Sequence, residues 1–225
     1  MSDELWLASM WPFVREQLPP SPARVVELGC GPLGGFVPRM TALGYDASGV
    51  DPEAPAEPGY EQIEFEKYAV SEPVDALVAS VSLHHVADLG IVLDKISSLL
   101  KPGATVVVIE WAHERFDETT ARWCFDRLGA TGEGWLRHHR ERWQESGQDW
   151  DEYFEAWIHD EHLHRGGDII RGLETRFETQ SVSEGPYLFA DLDGVTSDDE
   201  QAAIDAGQIQ PGCLRYVGQR RENRA

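Results

Sequence analysis

Cysteine is scarce in this sequence: Cys30, Cys124 and Cys213 stand singly among 225 residues. Separated thiols make no disulfide framework and no CxxC metal knuckle, so a reducing, cytoplasmic setting is expected. Long apolar runs are missing too. Nothing approaches the roughly 20 consecutive apolar residues that cross a bilayer, and the first residues lack the basic and apolar segments of a secretory leader. Basic residues are outnumbered, 19 Lys and Arg against 40 Asp and Glu, giving a formal net charge of −21. The longest basic run is Arg220-Arg221. A nucleic-acid partner calls for a cationic face that displaces phosphate counterions. Neither nucleic acid nor an anionic membrane is therefore an expected partner, whereas a small molecule is. Much of the acidity serves solubility alone, and the sequence leaves the oligomeric state open.

What is present is organised around one stretch. The run Val25-Val26-Glu27-Leu28 ends in Gly29-Cys30-Gly31-Pro32-Leu33-Gly34-Gly35, and Phe36 to Met40 can open a helix. That is a strand, a tight turn and a helix N-terminus, the unit in which backbone closely approaches a nucleotide-like ligand. A Cβ would block both the turn and the contact. About 20 residues further on, Gly49-Val50-Asp51 places an acid at a second strand's end, where it can accept hydrogen bonds from a ribose diol. A nicotinamide dinucleotide and S-adenosylmethionine (SAM) satisfy this pattern equally.

The rest of the chain alternates. An amphipathic helix over 3–18, kinked or restarted at Pro12, precedes the Pro19-Pro20-Ser21-Pro22 break and a strand at 24–28. A helix over 35–43 leads to a strand at 46–51. Three prolines keep 52–59 from being helical, and Tyr60 to Tyr68 alternates as a third strand. Val74 to Val81 reads as a buried parallel strand. Residues 88–100 form a helix, which Lys101-Pro102-Gly103 ends before a strand from Ala104 to Trp111. This alternation implies a parallel sheet with right-handed crossovers. From 112 to 175 the character changes: Trp123, Trp135, Trp143, Trp150 and Trp157 recur in short helices separated by glycines. Closing strands follow at Phe177–Val182 and Cys213–Gln219, with a helix between them capped at Ser197-Asp198-Asp199-Glu200.

The glycine loop, Asp51, Val74-Asp75, Ser82-Leu83-His84-His85-Val86 and Leu99-Leu100-Lys101-Pro102-Gly103-Ala104 occur in an order that resembles the class I SAM-dependent methyltransferases. The small-molecule group, whose fourth strand ends in two histidines, is the nearest in pattern, and the likeness covers about residues 22–111. It implies a Rossmann-like α/β fold: a seven-stranded, mostly parallel sheet, a reversed last strand, and a helical insertion between strands five and six. It divides the chain into an N-terminal helical cap (1–21), a SAM-binding core (22–111), a helical substrate cap (112–175) and closing strands (176–225). By the same resemblance Gly29, Gly31 and Gly34 line the methionine part of SAM, with Glu27 near its amino group. Asp51 would hold the ribose hydroxyls, Ser80 would lie under the methionine, and Glu66 is the candidate for the adenine amino group. Two departures stand out. Leu33 lengthens the loop, and fewer than 25 residues separate Asp51 from Asp75, so a more open adenine pocket is expected.

Methyl transfer from a sulfonium is an in-line displacement, in which the protein chiefly positions groups and excludes water. A general base helps only a protonated acceptor. His84, His85, Glu110 and His113 follow strands four and five and could face the substrate; His85 and His113 are the candidates for a base. For each, structural service is the competing reading, and one of the adjacent histidines is expected to pack inward. His159 and His162 share a helix face, but no motif frames them and no metal is expected. Val81 and His84 stand where some quinone-type O-methyltransferases carry metal-binding carboxylates. The five cap tryptophans either form an aromatic box for a cationic or planar substrate or anchor short helices to a core. Expected, then, is SAM-dependent methyl transfer to a small-molecule O, N or C nucleophile. The alternatives are a nicotinamide-dependent oxidoreductase and a non-catalytic SAM-binding protein.

Overall fold

The computed structural model describes residues 3–129 and 134–222. Helix α1 (Asp3–Gln17) runs through Pro12 without ending, because Trp6, Leu7, Met10 and Val14 form one buried stripe on both sides of it. Strand β1 (Arg24–Leu28) leads into the glycine loop and α2 (Val37–Ala42), then β2 (Asp46–Val50). β3 is two residues, Tyr60–Glu61, and a 3-10 turn over Phe65–Lys67 replaces the rest of the expected strand. The reason is spacing. Phe65 and Tyr68 are three apart, both buried, and stack at 6.1 Å, which a turn permits and a strand's alternation does not.

β4 (Val74–Ser80), α3 (Leu89–Leu99) and β5 (Leu100–Trp111) complete the central unit. Asp88 caps α3 by accepting from Ile91 N–H at 3.0 Å. β5 begins earlier than Ala104, since Leu100 already pairs with Val74 across a bulge in the register. Then come α4 (Glu118–Phe125), α5 (Trp135–Ser146), α6 (Trp150–Asp160), α7 (Gly166–Arg176), β6 (Phe177–Gly185), α8 (Ser197–Asp205) and β7 (Cys213–Arg220). Thr196 rather than Ser197 caps α8, in a reciprocal box with Asp199. The sheet has seven strands in the order β3-β2-β1-β4-β5-β7-β6; β7 alone is antiparallel to its neighbours. This is the fold class expected, reversed last strand included.

Strand alternation divides the core. Val25, Ala76, Val78, Val107 and Ile109 face α1, α2 and the helices α4 to α6, while Val26, Leu77, Ala79, Val106 and Val108 face α3 and α7. The 112–175 stretch therefore splits. α4 to α6 pile onto the α1 face, whereas α7 packs beside α3 through Ile169 and Leu173. Gly172 permits that packing: a Cβ there would collide with Leu93 of α3.

Candidate active site

The strand ends at one edge of the sheet surround a cavity of about 670 Å³. Ligands in open α/β sheets lie beyond the carboxyl ends of the strands, and this cavity is there. Its floor is the glycine loop, drawn into place by two bonds. Gly29 N–H donates to Val50 O at 2.9 Å, and Gly31 N–H donates to Asp51 Oδ2 at 3.1 Å. Gly31 has a φ of 60° and open space where a Cβ would stand, so the loop offers bare backbone to the cavity. Asp51 Oδ1 accepts from Glu53 N–H at 2.8 Å, which fixes the carboxylate on the cavity wall.

Six of the nine candidate residues line the cavity: Gly29, Gly31, Asp51, Glu66, Ser80 and His85. Three do not. Glu27 is fully buried beneath α2, where Oε2 accepts from Phe36 N–H at 2.7 Å. Burial pushes its carboxyl up to about 8, and Oε1 has no hydrogen-bond partner. Gly34 lies under Tyr60, whose ring a Cβ would strike. His113 is fully buried behind the cavity and donates from Nε2 to His164 O at 3.0 Å. Burial holds its pKa below the ordinary histidine value. The glycine spacing and strand position that selected these residues do not report which way a side chain leaves the backbone.

The two histidines after β4 divide as expected. His84 packs inward, its Nδ1 2.6 Å from Glu110 Oε2 and both groups buried. Because the carboxylate can only accept, His84 carries its proton on Nδ1. Glu110 Oε1 accepts from Ser82 N–H at 2.9 Å and Leu83 N–H at 2.6 Å, so this carboxylate sets the whole turn. His85 faces the cavity with much of its ring open to it. The surrounding walls, and then the adjacent His84 ring, hold its pKa below the usual value, so the imidazole is neutral at pH 7. Val81, branched at Cβ, adopts a left-handed φ of 48°, which turns the chain out of β4 onto the cavity wall. Such strain in a non-glycine residue collects at functional sites.

Asp3, Trp6 and Leu7 of α1, the expected N-terminal helical cap, cover the opening, and Ser82 of the motif after β4 buttresses the loop with its hydroxyl donating to Leu28 O at 3.3 Å. Sequence reasoning missed Asp3, Leu7, Glu64 and Phe65 as lining residues, the last two forming a wall. The indole N–H of Trp6 is buried without a hydrogen-bond partner. Among the described residues the lining contains four carboxylates, Asp3, Asp51, Glu64 and Glu66, and neither Lys nor Arg. None of the five cap tryptophans reaches the cavity. They pack instead: Trp150 stacks on Phe154 at 5.0 Å, Phe154 on Trp157 at 5.3 Å, and Trp143 meets Trp150 edge-on at 5.2 Å. The anchoring reading holds for them, and Gly132 of the glycine breaks lies outside the described residues.

A family profile described as a methyltransferase domain matches residues 7–169. The chain belongs to that family. Its fold is that of a class I SAM-dependent methyltransferase, and membership of a methyltransferase family sets aside the nicotinamide alternative. A ubiquinone biosynthesis O-methyltransferase from Nitrobacter winogradskyi is 34% identical over 93 residues, 36% of this chain and 35% of that one. The chain thus spans about a third of the length of the curated relatives it matches. Among solved structures, a SAM-dependent methyltransferase from Mesorhizobium loti superposes with a TM-score of 0.58 at 20% identity, over 94% of this chain and 98% of that one. Phosphoethanolamine N-methyltransferase 2 from Haemonchus contortus, in complex with SAM, gives 0.58 at 12% identity over 96% and 53%. The residues present suit this cofactor: bare glycine backbone, a wall-mounted aspartate and an acidic lining match a ligand with a diol, an ammonium and a sulfonium. Among the described residues no helix is long and apolar enough to cross a membrane.

Proposed function

We propose that this methyltransferase acts on a small, uncharged or cationic acceptor that enters beneath α1 and meets the methyl donor beside His85. The observation that carries the reading is the cavity's lining. One continuous space joins the glycine loop and Asp51 to Asp3, Trp6, Leu7 and His85, with carboxylates and, among the described residues, no Lys or Arg. A phosphorylated or carboxylated acceptor would meet only like charge there.

In this reading Gly29 and Gly31 hold the methionine end of SAM through backbone contacts, over Ser80. Asp51 accepts from the ribose hydroxyls, and Phe65 with Glu66 borders the adenine. The bound cofactor supplies an electrophilic methyl group. The chain's residues supply orientation, and α1 excludes water from the transfer line. His85, neutral at pH 7, accepts a hydrogen bond from a hydroxyl or amine acceptor and takes its proton as the new bond forms. Its lowered pKa makes it a weak base. Glu27 serves the loop from below rather than the ligand, and His113 serves the cap. The helices α4 to α6 pack on the α1 face outside the cavity lining and support α1 rather than touching the acceptor, with α7 belonging to the core crossover.

Calorimetric titration with SAM and S-adenosylhomocysteine tests the cofactor half. A methyl-transfer assay on matched acceptor pairs, each a neutral or amine compound beside its carboxylated analogue, tests the acceptor half. Turnover should follow the uncharged and amine members; turnover confined to carboxylated members would reject the reading.

A further inference from the structure

His164 lies 78 residues from Val86 in sequence and shares no motif with the loop after β4, yet it holds that loop from both sides. Its backbone N–H donates to His84 O at 3.0 Å, and its ring Nε2 donates to Val86 O at 2.8 Å. Both partners are carbonyls, so the ring carries its proton on Nε2. The two carbonyls flank His85, the cavity-facing histidine. A third bond closes the arrangement, with His113 Nε2–H donating to the carbonyl of His164 itself.

The segment that delivers His164 is itself anchored. After α6 the chain reverses at His162, which takes a left-handed φ of 56°, and Leu163 is buried among the cap residues. Beyond His164, the backbone N–H groups of Gly166 and Gly167 donate to the two oxygens of Glu114 at 3.0 and 2.9 Å. The cap's entry, at His113 and Glu114, and its exit, at His164 to Gly167, are thus tied together at one point. That point grips the loop bearing His85, Val86 and Ala87, all three on the cavity wall.

We propose that His164 is a positioning residue that fixes His85 and couples the cap to the ligand cavity. The proposal rests on the reading of that cavity as the SAM and acceptor site. A ligand that orders the 81–87 loop favours the clasped arrangement, and by linkage the clasped cap favours the ligand. His164 touches no ligand; it acts through the two carbonyls beside His85.

Hydrogen–deuterium exchange with and without saturating S-adenosylhomocysteine tests this on the full chain, in wild type, His164→Ala and His164→Gln. In wild type the ligand should slow exchange in two peptides, one covering 81–88 and one covering 158–166. In His164→Ala the 81–88 peptide keeps its protection and the 158–166 peptide loses it, while affinity falls roughly three- to tenfold, the size expected for one buried hydrogen bond. The amide N–H of His164→Gln reaches for the same carbonyl and restores more than half of the protection, which a merely structural role would not. Unchanged 158–166 exchange in wild type overturns the proposal, even if His164→Ala does not fold. So does protection retained in a folded His164→Ala, or a Gln variant no better than Ala. An absence of binding heat in wild type removes the cofactor reading and this proposal with it. Normal binding heat with unchanged exchange removes the proposal alone.

Discussion

Both oxygens of the Asp51 carboxylate already accept backbone N–H groups, from Gly31 and Glu53. Two of its roughly four acceptor positions remain, enough for a ribose diol. Asp51→Ala should therefore lower SAM affinity about tenfold to a hundredfold, by about 1.5–3 kcal/mol, and loosen the glycine loop as well. Asp51→Asn keeps one acceptor oxygen and should fall between. Calorimetry beside thermal melts separates the two effects, and a well-folded Asp51→Ala with unchanged affinity would place the site elsewhere. His139 carries a second prediction. It is 4% exposed, bonded through Nδ1 to Tyr153 Oη at 2.8 Å, and burial pushes its pKa down to about 4. The unfolded chain, with an ordinary histidine, binds a proton that the folded chain refuses between about 6.5 and about 4. Stability thus rises with pH across that window and is lost as pH falls through it, with a slope of up to about 1.4 kcal/mol per pH unit. His139→Gln should flatten that part of a denaturation-versus-pH curve. Asp51 was legible in sequence because a strand end and a fixed spacing announce it. His139 and His164 were not, because each takes its meaning from a partner in another element.

Three buried glutamates perform one task at the ligand edge of the sheet. Glu27 receives Phe36 N–H, Glu110 receives Ser82 and Leu83 N–H, and Glu200 receives Tyr187 N–H at 2.9 Å and Phe189 N–H at 2.6 Å. Each carboxyl group satisfies donors of an irregular turn that no neighbouring strand can reach. Glu110→Gln puts an amide donor against either His84 or the two backbone N–H groups, so a loss of about 3 kcal/mol or more is expected. In a chain of this size that is a melting-point drop of roughly 6–12 °C. Glu118→Gln, which breaks an exposed pair with Arg122 on α4, should change stability by less than about 1 kcal/mol. Equal losses in the two variants would show that Glu110 is not an anchor. The anchoring role of these residues is not legible in sequence: Glu27 and Glu110 read as candidates to face a ligand, and nothing in the spacing shows which backbone N–H groups a glutamate will meet. β1 and β4 were legible because parallel strands buried on both faces read as continuous apolar runs. β3 was not, because an alternating pattern over nine residues also fits a two-residue strand followed by a turn. The tryptophans of α4 to α6 were legible as a cluster but not as wall or filling, since composition does not say which side of a helix faces a cavity.

On the scale of the whole molecule, the net charge of −21 comes from 40 acids against 19 bases, most of the acids at the surface. Ion pairs such as Arg24–Asp46 and Lys101–Asp75 engage a few of the acids. The remainder repel one another, which favours solubility and opposes the compact state. Adding salt shortens the screening length from about 30 Å at 0.01 M to about 8 Å at 0.15 M. Raising sodium chloride across that range at pH 7 should therefore increase the melting temperature. At pH 5.5 two trends compete: partial protonation of carboxylates relieves repulsion, while buried His139 resists the proton that the unfolded chain accepts. The salt effect should shrink there, because less charge remains to screen, whereas the histidine penalty is internal and persists at 0.15 M. In His139→Gln its share of that penalty disappears, and what is left should be the salt-sensitive part together with the penalty carried by His85 and His113. A melting temperature that falls with added salt at pH 7 would mean that attractive pairs outweigh the repulsion, and that the acidity of this surface is organised rather than diffuse.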